Sequence, residues 1–138
     1  MKILDLLTPR RLLGNRGERE AVKYLKKRGY LILERGYVTG NSEIDIIAEL
    51  GDTLVFVEVK TRSTESHSPK EPRPASSVNK KKQRKIINAA MRYKKDDKMK
   101  MRFDIIEVIA AKNEKGKETY DITHIISAFD GNTAAIYH

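Results

Sequence analysis

Glu43-Ile44-Asp45-Ile46-Ile47-Ala48-Glu49-Leu50-Gly51-Asp52-Thr53-Leu54-Val55-Phe56-Val57-Glu58-Val59-Lys60-Thr61-Arg62 is the stretch that decides the fold. Two runs rich in β-branched residues flank Gly51-Asp52, a pair suited to a tight turn. The spacing predicts one strand over about Glu43 to Glu49 and another over about Thr53 to Thr61. Alternation puts Glu43, Asp45 and Ile47 on one face of the first. In the second, Leu54, Phe56, Glu58 and Lys60 share one face, and Val55, Val57 and Val59 the other. The second strand is apolar on both faces from Leu54 to Val57, which predicts a central position in a sheet. Its charged end lies at the C-terminal edge, where ligands meet open α/β sheets. An ionised group taken toward an interior loses several kcal/mol of solvation unless a cation or hydrogen bonds compensate. Asp45, Glu58 and Lys60 therefore need partners.

Upstream, Asn15-Arg16-Gly17-Glu18 has the form of a capping box, and Glu18, Ala21, Val22 and Leu25 recur at helical spacing until Gly29. This predicts a helix over about Arg16 to Arg28, after an N-terminal extension of residues 1–14. A strand over about Leu31 to Val38 and a turn at Gly40-Asn41-Ser42 lead into the deciding stretch, so three strands form an antiparallel meander. Downstream, Ser63 to Ser77 is rich in Ser, Pro, Lys and Glu, and Pro69, Pro72 and Pro74 predict a mobile loop. Asn79 is the expected N-cap of a second helix, in which Gln83, Ile86, Ile87 and Ala90 share a face. Strands over about Met101 to Ala110 and Glu118 to Ile126 follow, joined by the polar Lys112–Gly116. The order αβββαββ predicts a single α/β domain over 1–138, with a mixed sheet flanked by helices.

The 138 residues carry a formal net charge of +9 and no Cys. Disulfides, thiolate metal sites and a cysteine nucleophile are excluded. The apolar stretch Ile3 to Leu7 is broken by Asp5 and followed by Pro9-Arg10-Arg11, too short and too charged for a signal sequence or a membrane span. A soluble, cytoplasmic protein with no membrane partner is expected. Between Thr61 and Lys100 stand 13 Lys/Arg against 4 Asp/Glu, a surplus of nine, while the other segments hold 15 of each sign. So concentrated a positive field suits a polyanion such as nucleic acid, although a Lys run also serves as a solvated surface. Lys80, Lys81 and Lys82 occupy the first turn of the second helix, where the macrodipole disfavours each cation by roughly 0.3–1 kcal/mol. Free N–H groups with a Lys cluster form an anion site suited to a DNA phosphate.

Four polar exceptions fall on apolar faces: Glu18, Asp45, Glu58 and Gln83. Three carboxylates brought together would raise one another's pKa values unless a divalent cation neutralised them, and all-oxygen ligation by few protein groups suits Mg²⁺. Each exception also has a structural reading. Glu18 completes the capping box, Glu58 pairs with Lys60, Asp45 caps a turn, and Gln83 bonds a loop carbonyl. His67, His124 and His138 lack the spacing of a Zn²⁺ site.

Asp45 followed by Glu58-Val59-Lys60 resembles the Asp…Glu-X-Lys motif of the PD-(D/E)XK nuclease superfamily. The longer stretches Gly17-Glu18-Arg19-Glu20-Ala21, Tyr24–Tyr30, Ile32-Leu33-Glu34-Arg35, Glu43–Ala48, Asp52–Arg62, Lys82-Gln83-Arg84 and Arg102–Val108 together resemble the YraN family of predicted bacterial endonucleases, over roughly Asn15 to Phe129. Two departures affect the turn more than the ligands: Ile44 stands where Pro commonly precedes the Asp, and Asn41-Ser42 where Gly commonly precedes the Glu.

The resemblance implies a restriction-endonuclease-like fold, similar to archaeal Holliday-junction resolvases, and by analogy with them a homodimer. It implies a Mg²⁺-dependent endonuclease, with Mn²⁺ as a substitute, hydrolysing DNA phosphodiesters on branched or single-stranded substrates. Asp45, Glu58 and the Val59 carbonyl would hold the metal, with Glu18 assisting. Lys60 would stabilise developing charge, and Gln83 would orient water or contact a phosphate. Arg62, Lys80, Lys81, Lys82, Arg84 and Lys85 form the expected nucleic-acid contacts. The rival readings are a DNA-binding protein that keeps the nuclease scaffold without turnover, and a small assembly protein.

Overall fold

In the computed structural model, which describes residues 9–64, 78–94 and 98–130, the chain runs α1 (Pro9–Lys27), β1 (Leu31–Thr39), β2 (Ser42–Leu50), β3 (Thr53–Ser63), α2 (Lys80–Tyr93), β4 (Lys100–Lys112) and β5 (Glu118–Phe129). Every predicted element is present, and the strands are longer than the pattern suggested. Helix α1 corrects the sequence reading at its start. It begins at Pro9, whose fixed φ suits a first helical position, so Asn15 and Glu18 lie inside the helix and form no capping box. Residues 9–14 thus belong to α1 rather than to an extension. The helix ends as expected: Gly29 adopts φ +88° and the Tyr30 N–H returns to the Leu25 carbonyl at 3.0 Å. Of the Ser63–Ser77 loop, Ser63 closes β3 and Thr64 follows it, while residues 65–77 lie outside the described residues.

The five strands form one mixed sheet in the order β1-β2-β3-β4-β5. Strands β1, β2 and β3 make the antiparallel meander, β4 runs parallel to β3 through a crossover containing α2, and β5 is antiparallel to β4. Strand β3 is central, as its two apolar faces predict. This is the restriction-endonuclease-like α/β core, a mixed sheet with a helix on each face.

Helix α1 lays Ala21, Val22 and Leu25 on Ile46, Ala48, Val55, Val57, Ile106 and Val108. Helix α2 lays Ile86, Ile87, Ala89 and Ala90 on the opposite face, against Ile44, Ile47, Leu54, Phe56, Phe103 and Ile105. Close approach of α1 depends on Gly17, because a Cβ there would overlap the Thr61 side chain. Strands β2 and β3 stay in register from Leu50↔Thr53 to Ile46↔Val57, and there the ladder ends. Strict alternation would group Ile44 with Ile46, yet Ile44 joins Ile47 in the core under α2. The regular alternation expected over Glu43–Ile47 therefore breaks at Asp45, where β2 leaves β3.

A second feature braces the far side of the sheet. Asp104 is fully buried and accepts bonds from Arg102 (Nε 2.9 Å, NH2 2.7 Å) and the Ser127 amide (3.0 Å), with His124 Nε2 at 2.7 Å. His124 Nδ1 meets the Tyr24 hydroxyl at 3.0 Å, and Arg102 donates to the Tyr30 hydroxyl at 2.6 Å. Burial alone would raise the Asp104 pKa, but the bonds from His124, Arg102 and Ser127 outweigh it and hold the carboxyl below its ordinary range. This network ties α1, the α1–β1 turn, β4 and β5 together.

Candidate metal and nucleic-acid site

Where β2 and β3 part, the sheet loses its regular ladder, and a side chain takes the place of the backbone partner. The Val59 N–H donates to Asp45 Oδ2 at 2.7 Å. Within an extended strand the N–H and C=O of one residue point to the same edge, so the Val59 carbonyl faces the same gap. Burial pushes the Asp45 carboxyl up to about 8; the Glu58 carboxylate adds to the rise, the Val59 bond opposes it, and Glu18 contributes further.

Glu58 projects from the α2-side face of β3 and is buried, and its partner is Lys82 Nζ, 2.5 Å from Oε1. The sequence offers Lys60 as the cation beside Glu58; in the structure Lys82 reaches Glu58 from across the gap between sheet and helix. Burial works to lower the Lys82 pKa, but the Glu58 hydrogen bond and the charges of Glu58, Asp45 and Glu43 more than offset it and raise it. Lys60 follows Glu58 on the same strand face and lies in register with Glu107 of β4. Arg62 Nε, two residues further, stands 3.6 Å from the buried Glu107 Oε2.

Glu18 reaches the corner from α1, with Arg35 Nε of β1 3.6 Å from its Oε1. Burial raises its pKa, Arg35 lowers it, and Glu43 and Glu58 raise it again, leaving it above the ordinary carboxylate value. Gln83 is used as a brace: its Nε2 donates to the Val78 carbonyl at 2.7 Å, fixing the chain that enters α2. Asn79 caps the helix as predicted, accepting the Lys82 N–H at 2.8 Å. The first turn of α2 holds Lys80, Lys81 and Lys82 and no acid. Arg84 and Lys85 follow in the same helix, beyond that first turn.

The structure thus brings Glu18, Asp45, Glu58 and Lys82 into one electrostatic neighbourhood, with Lys60 and Arg62 further along β3. Sequence reasoning left out Glu43, whose charge acts on both Glu18 and Lys82. Its position two residues from Asp45 on one strand was the available signal. It also left out Arg35 and Glu107, whose pairing with Glu18 and Arg62 depends on strand order. Among the described residues no three His, Asp or Glu side chains form a ready-made metal cage. The fit to Mg²⁺ rests on less: two carboxylates and a carbonyl at a strand gap, the oxygen donors that a hard cation takes. Mg²⁺ keeps several waters and is commonly held by one or two carboxylates, so this donor set suits it.

Residues 17–108 match the family described as "Uncharacterised protein family UPF0102". The chain belongs to UPF0102, the YraN family. A UPF0102 protein of Desulfosudis oleivorans is 43% identical over 133 residues, covering 94% of this chain and 99% of the relative. Those of Chlorobaculum parvum, 44% identical over 121 residues (85% and 91%), and Alkaliphilus oremlandii, 43% over 122 (85% and 97%), are similar along most of their length. The UPF0102 match opens at Gly17, where α1 meets Thr61, and encloses Glu18, Asp45, Glu58, Lys60, Lys82 and Gln83. No helix among the described residues is long and apolar enough to cross a membrane.

Proposed function

We propose that this chain is a Mg²⁺-dependent endonuclease that hydrolyses DNA phosphodiester bonds, with branched and single-stranded DNA among its substrates. The observation that carries this reading is the meeting of opposites at one corner: the carboxylates of Asp45 and Glu58, whose charges act on each other, lie beside a helix N-terminus that opens on three lysines and no acid. Asp45, Glu58 and the Val59 carbonyl would hold the ion, and Mn²⁺ would substitute for Mg²⁺. When bound, the ion supplies Lewis acidity and lowers the pKa of a coordinated water. Glu18 accepts a hydrogen bond from a water at the site's edge. Lys60, two residues beyond Glu58 on β3, balances charge developing on the phosphate. Gln83 holds α2 in place through Val78. Lys80 and Lys81, at the positive end of the α2 dipole, receive a backbone phosphate, and Arg62, Arg84 and Lys85 extend that contact, so binding is steeply salt-dependent and largely indifferent to sequence.

The test is cleavage of labelled branched, single-stranded and duplex DNA by wild type and Asp45→Asn, with Mg²⁺ and with chelator. Metal-dependent products from wild type, absent for Asp45→Asn, are expected; equal activity of the two would refute the assigned site. One observation favours a second reading, a DNA-binding protein without turnover: Glu58 already has a cation in Lys82. Salt-sensitive DNA binding with no calorimetric sign of Mg²⁺ or Mn²⁺ binding would decide for it.

A further inference from the structure

Lys82 stands between two destinations. Its backbone is fixed in the first turn of α2 by the Asn79 cap, at the end of the helix where an anion is received. Its ammonium instead turns to Glu58, 2.5 Å away. The two partners are unequally placed: the Glu58 side chain is 8% exposed and the Lys82 side chain 51%. The carboxylate is fixed within the sheet edge, whereas the lysine reaches it from solvent on a flexible stem with four carbons. Only one of them is free to leave. A second cation at Glu58 would face the ammonium at close range, and like charges so placed repel.

We propose that Lys82 is a transferable counter-charge, neutralising Glu58 until a divalent cation arrives there and then passing to the DNA phosphate received at the α2 N-terminus. This rests on the metal and DNA reading above and adds a coupling to it. Occupation of Glu58 by a metal frees a cation for the phosphate, and a phosphate that draws Lys82 away opens Glu58 to the metal. Because binding linkage is reciprocal, metal and DNA tighten each other by the same factor. A lysine that served only to hold α2 on the sheet would give no such coupling.

The test is Mn²⁺ titration calorimetry on the full chain, with and without a phosphorothioate-blocked DNA hairpin, for wild type, Lys82→Met, Lys82→Arg and Asp45→Asn. Lys82→Met keeps the apolar stem and removes the charge. Without DNA, it is expected to bind Mn²⁺ about three- to tenfold more tightly than wild type, since a partly exposed ion pair no longer competes. Lys82→Arg, which keeps the pairing, stays at the wild-type affinity or below it. With the hairpin bound, the wild type gains more Mn²⁺ affinity than Lys82→Met does. Mn²⁺ affinity of Lys82→Met equal to or weaker than wild type without DNA would overturn the exchange while leaving the metal site standing. Mn²⁺ binding that is absent in every form, or unchanged by Asp45→Asn, would overturn the metal site and the exchange with it.

Discussion

Asp45 Oδ2 accepts the Val59 amide across the point where β2 leaves β3, so a side chain closes the ladder that Ile46 and Val57 end. An amide acceptor of the same shape preserves that closure, whereas a methyl group leaves a partly buried N–H without this partner. Asp45→Asn is therefore expected to be more stable than Asp45→Ala by about 1–2 kcal/mol in urea unfolding without metal. Equal stabilities would show that the Val59 bond contributes nothing.

Protonation of Asp45 gives a pH dependence with a definite sign. Its folded pKa is raised to about 8 from 3.8, so between those values the folded chain holds a proton that the unfolded chain has lost. Without metal, stability from this group is full below about pH 4 and declines as pH rises towards 8, by roughly 1.4 kcal/mol for each pH unit. Unfolding free energies measured with chelator across this range should fall, and Asp45→Asn should flatten the fall. Asp104, held below its ordinary range, acts in the opposite sense, its contribution being lost only as pH falls below about 4.

The seating of α1 is tested at Gly17. Gly17→Ala drives a Cβ into Thr61 Oγ1, Cγ2 and Cβ, forcing the helix off the sheet. A loss of about 1–3 kcal/mol is expected in thermal or urea unfolding, despite the better helix propensity of Ala. Thr61→Ala in the same chain removes two of the three clashing atoms and should restore part of the loss.

The Asp104 network is expected to support the fold and not the metal. Asp104→Asn leaves Arg102 without its charge partner in a buried setting and should cost about 3 kcal/mol. Mn²⁺ affinity of the folded variant, read by calorimetry, should match wild type. A matching drop in affinity would place the network within the site's machinery.

Residues whose neighbours are fixed by the chain's own periodicity were legible from the sequence. Leu54 to Val57, apolar on both faces, announced the central strand, and Asn79 announced a cap that the Lys82 amide occupies. The start of α1 was not legible, because Asn15-Arg16-Gly17-Glu18 satisfies a local capping pattern while Pro9 and the residues after it extend the helix upstream. Contacts between distant elements were hidden for a different reason. The Lys82 that pairs with Glu58 lies 24 residues away in sequence and is brought to it by the crossover from β3 to β4. Arg35 meets Glu18, and Arg62 meets Glu107, by the same kind of long-range placement. Gln83 lay on the expected face, but the carbonyl it holds belongs to Val78 of the entering chain.

The central claim is that Asp45 and Glu58 share a divalent cation where β2 and β3 part. Anomalous diffraction from a crystal soaked in Mn²⁺ tests it most directly. The account predicts a peak bonded to both carboxylates and to the Val59 carbonyl, with the Lys82 ammonium withdrawn from Glu58. A crystal with Mn²⁺ bound only elsewhere, and with Lys82 still paired to Glu58, would contradict it.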